Sequence, residues 1–160
     1  MPDPVEPVPG HLHTVTPRLV FSNDATAAMR FYADAFGAEV GGDPFLDPDG
    51  KVVHAEIQIG DSVVYVTDEG GDGNGVAPVS VGGQVTAMMG LNIPDVDQLW
   101  ERAVAAGCEV IYPLTDQFYG DRGGRLRDPF GHQWMLSTHI EDIDREELDR
   151  RMRAWSEEQA

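Results

Sequence analysis

At 160 residues and 41% apolar composition, the chain has the size of one domain or of two small modules sharing a core. Its 28 acidic residues against 11 basic ones give a net charge of −17, which argues against DNA or RNA as a main partner, because phosphate binding needs a basic footprint. No apolar run reaches the roughly 18–20 residues that span a bilayer, and the sole cysteine, Cys108, rules out an internal disulfide and a CxxC metal site.

Residues 1–14 read as an irregular arm. The stretch is acidic and proline-rich, with no basic start and no apolar centre, so no signal peptide is expected. With one cysteine and no predicted span, a cytoplasmic protein is expected. The first module is placed at residues 15–68. An apolar run, Val15–Ser22, leads into a helix whose residues Ala28, Phe31, Tyr32 and Ala35 recur at i, i+3, i+4 and i+7. Asp24 is its expected N-cap and Gly37 its stop. Three strands are predicted next: Ala38–Leu46, Val52–Ile59 and Ser62–Thr67.

Residues 69–84 are glycine-rich and read as a linker. The second module, 85–139, repeats the pattern. Val85–Ile93 is a strand, and Asp95 starts a helix striped by Val96, Leu99, Trp100 and Ala103 that Gly107 ends. Strands follow at Glu109–Leu114, Gly124–Arg127 and Gln133–Thr138. The last two flank Asp128-Pro129-Phe130-Gly131, where proline presets one backbone angle and glycine permits positive φ, so a hairpin turn is expected. Residues 140–160 form a charged C-terminal helix with Leu148, Met152 and Trp155 on one stripe, suited to its own domain or to a partner subunit. The fold class is therefore α+β: two βαβββ modules whose mixed sheets curve around a cleft, the natural place for a small molecule.

Gly60-Asp61 reads as a two-residue hairpin loop. It sets Ile59 opposite Ser62, Glu56 opposite Tyr65 and His54 opposite Thr67, and paired residues share a face. His54, Glu56 and Gln58 then alternate with Ala55, Ile57 and Ile59, which pack beneath the helix. By the same parity Gln133, Met135 and Ser137 face the cleft while Trp134 and Leu136 pack inward. A plain solvated face explains the polar set equally simply. His132 and His139 read as structural or exposed. Arg122, Arg125 and Arg127 form a basic cluster, expected to pair with Asp121 and Asp128 or, failing that, to meet an anionic ligand group.

The segments TPRLVFSNDATAAMRFYADAFGAE, KVVHAEIQIGDSVVYVTDE and DVDQLWERAVAAG, together with the DQFYGDRGGRLRDPFGHQW…THIED stretch, are carried by a chain that resembles the vicinal oxygen chelate superfamily. That superfamily includes glyoxalase I, extradiol dioxygenases, and bleomycin- and fosfomycin-resistance proteins. The chain is most similar to its PhnB-like glyoxalase/bleomycin-resistance group. Metal-dependent members chelate one divalent ion with four His, Gln or Glu side chains on the first and last strands of each module. Carried over, those positions fall on Pro17, Tyr65, Met88 and Met135. These are not ligands for a hard or borderline ion, and a shift of one residue supplies none.

The resemblance therefore implies a protein without the usual metal and with no cofactor. Its expected ligand is a small organic molecule of cationic or drug-like kind, held by His54, Glu56, Tyr65, Met88, Gln133 and Met135. A homodimer is also implied. His54 and Glu56 are the candidate catalytic pair under the alternative, a lyase, isomerase or oxygenase with a rebuilt metal site or metal-free acid–base chemistry. A structural or regulatory homodimer without ligand is the third reading.

Overall fold

The computed structural model describes residues 6–70 and 75–158. The chain divides into two compact units, one ending at Gln84 and the other beginning at Val85.

In the first unit, β1 (Arg18–Phe21) leads to α1 (Ala25–Phe36), β2 (Glu39–Val40), β3 (Phe45–Leu46), β4 (Val52–Ile59) and β5 (Ser62–Asp68). The strand order is β1-β5-β4-β2, with β3 also on β4. Only β1 and β5 run parallel. The sequence predicts one strand over 38–46, whereas two short ones form. Gly42 adopts φ 78° and Pro44 has no N–H to give a ladder, so the edge breaks between them. A register shift between Phe45 and Leu46 marks the same irregularity. It explains why Val52 is buried on the same side as Ala55, three residues on, where regular alternation would have buried Val53.

Helix α1 covers one face of this sheet. Ala28, Tyr32 and Ala35 of the predicted stripe are buried, joined by Met29 and Phe36, while Phe31 is only half-buried. Tyr32 meets Phe21 edge-on at 6.2 Å and Phe36 at 5.5 Å. Such aromatic pairs add about 0.5–1.5 kcal/mol each beyond their buried area. Asp24 sits at the N-cap but its side chain makes no capping bond. The capping carboxylate comes from β5 instead: Asp68 accepts from Ala25 N at 3.0 Å and from Val52 N at 2.9 Å. Gly37, at φ 70°, ends the helix in the left-handed conformation that glycine adopts without steric cost.

Past β5, Glu69 pins the chain. Its carboxylate accepts from Ser22 Oγ, Ser80 Oγ and Ala77 N at 2.6–2.9 Å, and these bonds hold it below the usual carboxylate range. The predicted linker thus contains a tied segment with a 3-10 turn at Pro78–Val81. Its residues 71–74 lie outside the described residues.

The second unit repeats the plan with β6 (Met89–Asn92), α2 (Val96–Ala105), β7 (Glu109–Asp116), β8 (Asp121–Arg127), β9 (Gln133–His139) and α3 (Arg145–Glu158). Its order is β6-β9-β8-β7, and β6 and β9 are parallel. Here Asp95 does cap its helix, accepting from Gln98 N at 3.0 Å. Trp134 and Leu136 are buried beneath α2. The DPFG turn is organised by Asp128, which is buried. One of its carboxylate oxygens accepts from Phe130 N and His132 N, and the other from the Trp134 indole at 2.9 Å. Helix α3 has no buried residue. Trp155 nevertheless lies against Phe118 at 5.4 Å, and Arg151 bridges Glu141 and Glu147.

Each unit is therefore an α+β module, a mixed sheet with a helix on one face and the opposite face open to side-chain chemistry.

Candidate functional site

The open face of the first unit gathers its chemistry by strand register. Glu56 of β4 pairs with Tyr65 of β5, and Tyr65 pairs with Arg18 of β1. Gly41 N donates to Glu56 O at 2.8 Å on the other side. One row thus crosses the sheet: Arg18, Tyr65, Glu56, Gly41. A side chain at Gly41 would press on Glu56, since an added Cβ would meet the Glu56 Cβ at 3.3 Å. His54 lies two residues before Glu56 on the same face, and Phe45, paired with His54, stands beside it with 71% exposure. Ala55, Ile57 and Ile59 are buried on the other side.

Glu56 is the centre of this face. Its Oε1 lies 3.4 Å from His54 Nε2 and its Oε2 lies 3.3 Å from His11 Nε2. His11 comes from the N-terminal arm, and nothing in strand periodicity could have placed it there. The Tyr65 ring meets the His54 ring edge-on at 4.8 Å, and the Arg18 guanidinium lies 5.6 Å from the Tyr65 centroid. The Glu56 and His54 side chains keep 27% and 34% of their surface exposed. The site is thus a carboxylate between two imidazoles, reachable from solvent and walled by aromatic rings. Gln58 turns away, its amide donating to Gly60 O at 3.0 Å.

In the second unit, Met135 of β9 pairs with Gly90 of β6 and with Arg125 of β8, and Arg125 pairs with Tyr112 of β7. The corresponding row is Gly90, Met135, Arg125, Tyr112. Gln133, Met135 and Ser137 lie half-buried on this face, and Ser137 Oγ donates to Asn92 Oδ1 at 2.9 Å. Met88, just before β6, is 47% exposed.

Tyr65's partner across the parallel ladder is Arg18, and Pro17 contributes its carbonyl, accepting from Tyr65 N at 2.9 Å. Met135's partner is likewise Gly90, two residues beyond Met88. Whether the four family positions are read as Pro17, Tyr65, Met88 and Met135 or as Arg18, Tyr65, Gly90 and Met135, no imidazole or carboxylate stands at them. That donor set does not fit a divalent ion. Among the described residues, no three His, Cys, Asp or Glu side chains are arranged to hold a metal.

The basic cluster also sorts differently. Arg122 pairs with Asp97 and Asp116, and Arg127 with Glu109. Asp121 instead accepts the ring of His139, and Asp128 serves its turn. Arg125 takes neither partner and lies over the Tyr112 ring at 4.8 Å. Burial, with Asp128 adding to it, pushes the Cys108 thiol up to about 12, away from the range of reactive cysteines.

Comparison with known proteins agrees with this architecture. Residues 11–136 match the model of the Glyoxalase/Bleomycin resistance protein/Dioxygenase superfamily. The chain is 37% identical over 142 residues to the uncharacterised protein Mb0911c of Mycobacterium bovis, covering 86% of this chain and 91% of that one. The uncharacterised Rv0887c of Mycobacterium tuberculosis is also 37% identical, with 86% and 81% covered. Among solved structures, TioX from Micromonospora sp. ML1 superposes with a TM-score of 0.60 at 23% identity, over 82% of this chain and all of that one. A PhnB protein from Bacillus cereus gives 0.59 at 20% identity, over 79% and 99%. The fosfomycin resistance protein FosX from Listeria monocytogenes gives 0.58 at 18%, over 86% and 97%. At these identities the structural likeness speaks for the fold. No helix among the described residues is long and apolar enough to cross a membrane.

Proposed function

The chain belongs to the glyoxalase/bleomycin resistance protein/dioxygenase superfamily, and on that footing we propose that it binds a small organic cation through Glu56 without the superfamily's four-ligand metal centre. The observation that carries this reading is the Glu56 carboxylate, set between His11 and His54 on an open sheet face. A carboxylate is an acceptor for an ammonium or amidinium group. The Tyr65, His54 and Phe45 rings beside it supply flat apolar surface and negative ring faces that attract a cation. The net charge of −17 raises the local concentration of cations before any contact forms. His54, Glu56 and Tyr65 are assigned to ligand binding on this face; Met88, Gln133 and Met135 remain proposed ligand contacts of the second unit's own open face.

A thermal-shift screen of planar aromatic cations at low salt tests this, since a ligand that binds only the folded state raises apparent stability. A saturable upward shift that Glu56→Gln removes supports the proposal. No shift from any cation sinks it.

One observation favours a second reading. His11 and His54 on either side of Glu56 form the oriented group that a lone His/Glu pair lacks, as acid–base catalysis in a lyase or isomerase requires. Recovering each bound compound after long incubation separates the two: an unchanged compound marks a binder, and a converted one marks an enzyme.

A further inference from the structure

We infer that the open face of the second unit carries a subsite for the oxyanion of a small organic acid, with Arg125 as its binding group. With 28 acidic residues against 11 basic ones, an arginine on a strand has carboxylates in plentiful supply, and its two neighbours on β8 use them: Arg122 holds Asp97 and Asp116, and Arg127 holds Glu109. Arg125 makes no ion pair and no side-chain hydrogen bond among the described residues; its Nε, like that of Arg127, is buried without a partner, but only Arg127 has a carboxylate at its terminal nitrogens. A guanidinium with no acid beside it keeps its terminal donors free for an acceptor, so Arg125, on a sheet face, is suited to a partner supplied from outside.

Its surroundings define that partner. The guanidinium lies over the Tyr112 ring, with its carbon 4.8 Å from the ring centroid, a cation–π contact that holds it on this face. The planar guanidinium fork matches carboxylate and phosphate oxygens two at a time. Next in the row stands Met135, then Gly90, beside which an added Cβ would meet nothing within 4 Å. The face therefore offers a thioether and open space beside the charge. The ligand it fits has an apolar body and one oxyanion, either a carboxylate or a phosphoryl group. This subsite stands independently of the cation site on the first unit and is tested without it.

The experiment is an NMR titration of the arginine Nε–Hε resonances of the full chain with benzoate and with inorganic phosphate, at constant ionic strength set by sodium chloride. The expected result is a saturable shift of the Arg125 resonance with at least one of the two. Benzoate alone identifies a carboxylate site that uses the apolar floor, and phosphate alone a phosphoryl site. Arg125→Gln is expected to weaken that binding at least tenfold and Arg125→Lys several-fold, whereas Arg127→Gln leaves it unchanged. No saturable shift with either anion, shifts confined to Arg122 or Arg127, or equal binding by Arg125→Gln would overturn the inference. If Arg125→Gln does not fold, the wild-type resonance decides alone, because it either saturates or does not.

Discussion

Glu56 and Arg125 occupy the same register position in their two ladders. Glu56 sits on the third strand in from the parallel edge, opposite Tyr65, whose other partner is Arg18. Arg125 sits on the matching strand, opposite Met135, whose other partner is Gly90. The internal repeat thus keeps its backbone plan and inverts the charge at its central polar position. Each unit offers its own chemistry, carboxylate and imidazole in one and guanidinium and thioether in the other.

Gly124 is required by the approach of α2 to β8. An added Cβ there would lie 2.7 Å from the Trp100 ring and 2.9 Å from Tyr112 O. Gly124→Ala is expected to cost about 1–3 kcal/mol, the usual penalty for overpacking. Urea denaturation followed by tryptophan fluorescence checks this. An unchanged midpoint would show that Trp100 yields freely.

Asp128 ties the DPFG turn to the core through Phe130 N, His132 N and the Trp134 indole. Asp128→Ala leaves that buried indole donor without its acceptor, and a loss of roughly 1.5–3 kcal/mol is expected. Equilibrium unfolding measures it, and near-ultraviolet circular dichroism should report a loosened Trp134.

His139 is held above its ordinary pKa of 6.5, first by its hydrogen bond to Asp121 and then by Asp142. A raised folded-state value means the clamp contributes fully below about pH 6.5 and is lost as pH rises through the folded value. Ile140 and Glu141, whose amides both donate to Gly120 O, should then exchange faster above that range, after correction for intrinsic rates. In His139→Gln the profile should be flat. A pH-independent wild type would contradict the assignment.

Cys108 should be inert to a disulfide reagent such as dithiobis-nitrobenzoate at pH 8 in the folded protein and react at once in denaturant. Its thiol is pushed up to about 12, by burial first and Asp128 second. Asp128→Ala should therefore leave it unreactive as long as the fold holds. Rapid reaction in the native wild type would contradict this.

Much of the fold was legible because it rests on local rules. The Gly60-Asp61 turn fixed the Glu56–Tyr65 pairing, and the alternation of β4 and β9 gave the buried sets. The parallel edges were less legible. No turn joins β1 to β5, so the Arg18–Tyr65 pairing could not be counted off from a hairpin. Partners distant in sequence were invisible: Asp68 caps α1 across 43 residues, His11 reaches Glu56 from the arm, and Arg122 and Arg127 find Asp97 and Glu109 instead of the nearest acids. Arg125 could have been singled out only by knowing which carboxylates its neighbours had taken.

The most direct test of the central claim is calorimetric titration of wild type and Glu56→Gln with the strongest compound from the planar-cation screen, at low and high salt. Saturable one-to-one binding by the wild type is expected to weaken as salt rises, with at least tenfold loss in Glu56→Gln and unchanged folding. Equal affinity in the two proteins would contradict the assignment of Glu56 as the group that receives the cation.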